Sequence, residues 1–284
     1  MSRLKAHAII TKYWMPGENY TKEIIKSVEG KISDGDFIVI SEKAIATALG
    51  NIVDEGNIQP SLTAKIIAKY WMPLVWGYIL GPICRLRRKL LQQLRKYPQN
   101  MGSRHKQLAV KYAGLMQALM FGSEGGIDGS NMPYSYVCLP LKDAQALAED
   151  IRRQILATLR KKVYVMIVDT DKTYSLKNFH FTPRPKPIKG IHGSGGFLAY
   201  VIGRMLKLKR RATPTALAGC ILPAEEALRI AEFANRVRGC GAGRTVWDMA
   251  ERFKVDLDKV SWEMLKTVKH KPIVIVTKAR RNLS

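Results

Sequence analysis

Ser33-Asp34-Gly35-Asp36-Phe37-Ile38-Val39-Ile40-Ser41-Glu42-Lys43 is the stretch on which the fold turns. Four consecutive apolar residues after a Ser-Asp-Gly-Asp turn predict a short strand buried on both faces, because a strand with one wet face would alternate. Ser41-Glu42-Lys43 follows at once, then a helical run from Ala44 to Leu49 that Gly50 ends. Polar side chains therefore stand where a buried strand hands over to a helix, a favoured place for ligands in open sheets. Working outward, Val163 to Val168 and Ile273 to Val276 predict two more buried strands. Lys22 to Val28, Lys142 to Leu159 and Ala224 to Arg238 predict amphipathic helices, the second with Ala144, Leu147, Ile151 and Ile155 at helical spacing. Strands and helices mix without strict alternation and without Gly-x-Gly-x-x-Gly. The expected fold class is α+β, with mixed sheets and packed helices, and a dinucleotide domain is excluded.

At 284 residues and 46% hydrophobic the chain has enough apolar side chains for a large core. It is expected to form a single unit over 1–284, or two subdomains within it, with a flexible Pro/Gly-rich loop at 181–196. Cys84, Cys138, Cys220 and Cys240 are scattered, which suggests neither a zinc site nor a disulfide framework and points to a reduced, cytoplasmic protein. The net charge of +24 calls for a polyanionic partner, a charged site or an unusual host; nucleic acid is one candidate, although each basic cluster reads first as a solvated face. Trp71 to Cys84 is uncharged and runs into Arg85-Leu86-Arg87-Arg88-Lys89. It is shorter than the roughly 20 residues that span a bilayer. Pro73, Gly77, Gly81 and Pro82 argue against one straight helix, so a buried or subunit-contact segment is expected and a membrane-surface one comes second.

Three places present acid or amide groups at the ends of elements. They are the turn Ser123-Glu124-Gly125-Gly126-Ile127-Asp128-Gly129-Ser130-Asn131, the strand end Asp169-Thr170-Asp171, and the loop Gly239-Cys240-Gly241-Ala242-Gly243-Arg244-Thr245. A hard divalent cation takes oxygen ligands, commonly one or two carboxylates with waters and substrate phosphates, which makes Asp128 and Asp169 the obvious pair for Mg²⁺ or Mn²⁺. The competing reading is that Asp128 and Asn131 brace a turn and Asp169 caps a helix. His180 and His192 read first as solvent-exposed loop residues. The five tryptophans read as core or interface aromatics before base-stacking platforms.

Gly126-Ile127-Asp128-Gly129-Ser130-Asn131, with Leu139-Pro140 and a helix following, resembles the Ala-Gly-Ile-Asp-x-Ser-Asn segment of the coenzyme F-420-0 γ-glutamyl ligase family. Pro16-Gly17-Glu18, Asp34-Gly35-Asp36, the strand ending in Asp169-Thr170, and Phe233 to Gly243 agree in order and spacing. The resemblance implies a γ-glutamyl ligase-like α+β homodimer. Such an enzyme uses GTP as co-substrate, Mg or Mn and a monovalent cation to join L-glutamate to the deazaflavin coenzyme or a related anionic acceptor. It implies metal at Asp128, Asp169 and Thr170. It also implies nucleotide contacts at Thr11, Lys12, Tyr13, Trp14, Glu42, Lys43 and Asn131, and along the loop Gly239, Cys240, Gly241, Ala242, Gly243, Arg244 and Thr245. Catalytic acid–base residues are not identified. Two departures stand out: Thr47 occupies the place of a family lysine, and Lys172-Thr173 that of a Gly-Arg pair. They leave open a ligase with a changed acceptor, or a diverged relative that binds nucleic acid or another polyanion.

Overall fold

The computed structural model describes residues 4–122, 124–193 and 195–278; Ser123 and Ser194 lie outside them, as do the last members of the basic cluster from Lys278 to Arg281. The strands are β1 (Leu4–Thr11), β2 (Phe37–Ser41), β3 (Ile52–Asp54), β4 (Tyr136–Cys138), β5 (Tyr164–Leu176), β6 (Phe179–Phe181), β7 (Lys209–Ala218) and β8 (His270–Lys278). The helices are α1 (Tyr20–Val28), α2 (Glu42–Ala48), α3 (Leu62–Ile66), α4 (Gly81–Ile83), α5 (Arg88–Arg95), α6 (Gln99–Tyr112), α7 (Leu115–Ala118), α8 (Ala144–Leu159), α9 (Gly196–Met205), α10 (Ala224–Arg238), α11 (Val246–Phe253) and α12 (Trp262–Lys266). A wide-turned helical stretch, Ile67–Leu80, joins α3 to α4.

β2 is the keystone. It runs parallel to β5 with Phe37 opposite Tyr164 and Ser41 opposite Val168, and antiparallel to β8, whose far edge carries β1. Alternate residues feed two cores, as burial on both faces requires. Ile38 and Ile40 pack with Ile24, Ile45, Ile151 and Ile155 from α1, α2 and α8, while Phe37 and Val39 pack with Ala227, Ile230 and Ala231 of α10. The architecture is therefore α+β, a mixed sheet with helices on both faces, as the sequence predicts.

β5 is longer than its apolar part. Its second half buries Asp171, Thr173 and Ser175 along with Tyr174 and pairs with β7 as far as Ser175–Lys209. Thr173 and Thr213 share a hydroxyl hydrogen bond of 2.8 Å, so the strand runs on past Asp171, where the sequence predicts its end, and buries a polar ladder. His180 corrects another expectation: on β6 it is buried, with Nδ1 2.9 Å from Ser175 Oγ, whereas His192 is exposed and stacks on Phe179.

The segment from Ile58 to Phe121 forms a helical insert with its own core of Ile67, Met72, Trp76, Leu94 and Leu108. It is helical from Leu62 to Ile83 despite Pro73, because the wide turn shifts the hydrogen bonding, as in Gly81 N–H to Trp76 O. The glycines in it serve packing. A Cβ on Gly81 would stand 2.2 Å from Trp76 O and 2.5 Å from Leu91 Cδ2 of α5.

Candidate functional site

The site grows from the open edge of β5. β7 occupies one edge along its length, β2 covers the other only to Val168, and β6 returns on that same side from Tyr174. Asp169 to Thr173 lie between, without a partner strand on that edge among the described residues. The β5–β7 register also shifts between Asp169 and Lys172, so Thr170 and Asp171 form a bulge. Bulges re-aim side chains and end pairing, and this one bends the acidic strand end toward the opening.

Arg184 fills the space beside it. Nearly wholly buried, its guanidinium donates to Glu42 at the start of α2, to Gly125 O at 2.9 Å, and stands 3.1 Å from Asp169 Oδ2 through Nε. One side chain thus ties the β2–α2 junction, the β5 end and the glycine turn together. Burial raises the Glu42 carboxyl above its ordinary range, Arg184 draws it back, and the Asp169 charge raises it again. Glu42 Oε1 also accepts from Leu141 N–H at 2.9 Å, while Oε2 is buried without a hydrogen bond among the described residues.

The guanidinium explains the turn's glycines. Gly126 has φ +97°, and a Cβ there would stand 1.4 Å from Arg184 Nη1. Gly126→Ala therefore combines left-handed strain with a clash against a fixed charged group. It is expected to cost about 2 to 3 kcal/mol in denaturant unfolding. A variant as stable as the parent would contradict the buried position of Arg184.

Next to this cluster lies the Asp128 turn. Lys43 donates to Asp128 Oδ2 and, at 2.9 Å each, to Ser130 O and Oγ; Ser130 N–H returns to Asp128 Oδ1 at 2.7 Å. Asp128 bridges in backbone register to Cys138, which fixes the turn on β4. Asn131, at φ +56°, accepts from Ala242 N–H at 2.5 Å and donates to Gly243 O at 3.0 Å, linking the turn to the loop after α10. Gly241 at φ +60° lies against it, where a Cβ would be 2.5 Å from Asn131 Oδ1. Tyr13 completes the seam, its hydroxyl donating to Asn131 O at 2.6 Å. At the α10 end, burial lowers Arg238 to about 10 while the Asp169 charge opposes the shift, and its guanidinium donates to Asn235 Oδ1 at 2.7 Å.

Beside these groups is a cavity of about 310 Å³, reached by Asp128, Thr170, Lys172 and Arg244 and walled by Met101, Tyr134 and Trp247 among others. At its far side Glu124 accepts from His105 Nε2 at 2.9 Å and from Lys106, while His105 Nδ1 is 2.5 Å from Glu55 Oε1. Burial would raise the Glu124 carboxyl, but Lys106 and His105 outweigh it and hold the group at about 2. Burial would likewise lower His105, and the two glutamates raise it to about 10.

The structure thus brings Glu42, Lys43, Asp128, Asn131, Asp169, Thr170, Tyr13 and the Gly239 to Thr245 loop to one region. Three other proposed nucleotide contacts are engaged within the chain or buried. Lys12 pairs with Glu18 at 3.1 Å, Trp14 is wholly buried in the core beside α1, and Thr11 donates to Lys12 O. Thr47 is also buried, donating to Lys43 O at 2.9 Å within α2, and Lys172 pairs with Glu232 at 3.0 Å, so neither restores the missing lysine. Arg184, His105 and Lys106 carry no local signal of their role. Arg184 is flanked by Pro183 and Pro185 in what reads as a loop, and only the neighbouring prolines hint at a stiff, positioned segment.

The scaffold and its acidic opening are consistent with an α+β ligase fold. The chain belongs to the F420-0:gamma-glutamyl ligase family, whose model matches residues 8–186. It is 34% identical over 286 residues to an uncharacterized protein of Methanocaldococcus jannaschii, covering 96% of each chain. It is 27% identical over 144 residues to a coenzyme F420:L-glutamate ligase of Archaeoglobus fulgidus, half of each chain. The family is one of amide-forming ligases of coenzyme F420 biosynthesis.

Proposed function

We propose that the protein is a GTP- and divalent-metal-dependent ligase. It joins L-glutamate or another amino acid by an amide bond to coenzyme F420-0 or a related anionic acceptor, through an acyl phosphate. The observation that carries this reading is the linkage of the Asp128 turn, through Asn131, to the Gly239 to Thr245 loop at the mouth of the cavity.

The donor set fits Mg²⁺ or Mn²⁺. Asp128, Asp169 and Thr170 offer hard oxygens, and Asp169 Oδ2 is buried without an aligned hydrogen bond. No three acid, His or Cys side chains meet at one point among the described residues. The chain therefore supplies one or two carboxylates and leaves the remaining positions to phosphate oxygens and water, the usual arrangement for a nucleotide's metal. A metal bound there would neutralise phosphate charge and ease transfer of the phosphoryl group.

The chain's own residues do the rest. Lys43 and Arg238 supply positive charge for the phosphates, and the loop around Gly241 approaches closely because it lacks side-chain bulk. The cavity holds the acceptor with its carboxylate toward Asp128 and Thr170, so the transferred phosphoryl group and the incoming amine meet at the β5 bulge. Tyr134, Trp247 and Met101 keep water from the acyl phosphate. Lys172 of the changed pair Lys172-Thr173 lines this cavity, which favours an acceptor altered on that side.

Asp128→Asn is expected to abolish metal-dependent GTP turnover, a loss of at least about a hundredfold, with binding of the acceptor retained. Unchanged turnover would sink the assignment. A screen of GTP and ATP with Mg²⁺ or Mn²⁺ by thermal shift tests the nucleotide separately, since a ligand that prefers the folded state raises its stability.

A further inference from the structure

The helical insert has two apolar faces, and the fold covers one of them. Ala64, Ile67, Ala68, Met72 and Trp76 point into its core. On the opposite side Leu62, Ile66, Tyr70, Leu74 and Tyr78 recur every fourth residue and are between 47% and 74% exposed. A helix that is apolar all round needs cover on both sides. On α9, which packs against the insert, Leu198, Ile202 and Met205 are also exposed. α9 is bound to the insert by Arg204 Nε to Cys84 O at 2.8 Å and by the Trp71–Phe197 ring contact at 5.4 Å. Together these stripes form an exposed apolar face of the kind that marks an interaction site.

Charge selects the partner. No Asp or Glu stands between Glu55 and Glu124, nor between Asp171 and Glu225, although Lys and Arg recur through both segments. These two segments supply the insert and α9, so they account for much of the +24 net charge. Lys65, Lys69, Arg85, Arg87, Arg88 and Lys89 flank the first stripe in exposed positions, and Lys207, Lys209 and Arg210 follow the second. A second copy of the chain would set this net-positive rim, in which Lys89 and Lys209 of the named cations pair with Glu251 and Glu225, against its own image. A nucleic acid would answer the charge and leave the leucines and isoleucines in water. An anionic bilayer answers both, because basic side chains reach headgroup phosphates while apolar ones enter the acyl boundary. No helix among the described residues is long and apolar enough to cross a membrane, which limits the contact to the surface.

We propose that the face made by Leu62 to Tyr78 and Leu198 to Met205 docks the protein on an anionic lipid surface. The face does not include the Asp128 turn, so the docking stands apart from the ligase reading and its failure would leave that reading untouched. The test is flotation of the full chain with vesicles of phosphatidylcholine containing phosphatidylglycerol, and with pure phosphatidylcholine. The protein is expected to float with the anionic vesicles and to lose most binding on pure phosphatidylcholine or at high salt. Leu74→Glu and Ile202→Glu, both at exposed positions, should weaken binding about tenfold or more with unchanged melting. Lys26→Glu, on α1 outside the face, should bind as the parent does. Absence of flotation with anionic vesicles overturns the proposal, as does equal weakening by Lys26→Glu, which would reduce the effect to net charge. A lipid-free dimer in sedimentation that Leu74→Glu dissociates would assign the face to a second copy instead.

Discussion

Arg184→Ala is expected to lower stability by about 3 to 5 kcal/mol and to remove ligase activity together with it. The reason is uncompensated charge. The guanidinium is the cation between Glu42 and Asp169, both largely shielded from water, and its loss leaves two carboxylates facing each other across a cavity. Burial already raises the Glu42 carboxyl, and without Arg184 it rises further. A carboxyl whose folded pKa lies above its unfolded value favours the folded state most at low pH and loses that advantage as pH rises through the folded value. The variant should therefore be closest to the parent under mildly acidic conditions and fall away toward neutrality, in urea titrations run across that range. Arg184→Lys keeps a charge but not the fork that reaches Glu42, Gly125 O and Asp169 at once, so it should recover only part of the stability. A flat difference between Arg184→Ala and the parent across pH would show that carboxylate repulsion is not the cause.

The parts of the fold that were legible in the sequence are those where one property runs unbroken through a short segment. Phe37 to Ile40 reads as a strand with two buried faces because every residue is apolar, and its neighbours confirm the reading in register. The glycine turn at Asp128 reads as a site because glycine and acid coincide at an element boundary. β5 beyond Val168 does not read as strand, since its inward residues are Asp171, Thr173 and Ser175, polar groups whose partners come from β7 and β6. The insert resists for a different reason: Pro73 and the glycines look like breaks, whereas the wide turn absorbs the proline and the glycines admit α5. Arg184 is hidden by distance. Its acid partners lie 142 positions away at Glu42 and on another strand at Asp169, and no local pattern records such a contact. Of the candidate site, the acids and the glycine loop were visible, and the cations that organise them were not, except Lys43.

The same hidden charge appears beneath the cavity, where Glu124→Gln should destabilise the protein by about 3 to 5 kcal/mol at neutral pH. Lys106 is fully buried and pairs with Glu124 and Met120 O; a neutral amide removes its paired carboxylate and leaves only the charge of Glu55, which His105 already engages. The acid limb reports the cause. In the parent, Glu124 is held at about 2 against an ordinary 4.5, so its contribution is present above the unfolded value and is lost as pH falls toward 2. His105, held at about 10 against 6.5, contributes fully below 6.5 and loses that contribution as pH rises through 10. The parent's share of stability from this cluster should thus be greatest between about pH 4.5 and 6.5, and the Gln variant should lose the acid limb while keeping much of the alkaline one. Adding Lys106→Met to Glu124→Gln removes the stranded ammonium and should restore a large part of the loss, because a buried ion pair replaced by well-packed neutral groups is often nearly neutral in energy. If the double variant is as unstable as the single one, the charge of Lys106 is not what Glu124 compensates. Since Glu124 adjoins Gly125, whose carbonyl accepts from Arg184, the single variant should also weaken substrate turnover, and the Met partner should restore fold and turnover together if the cluster acts by positioning the turn.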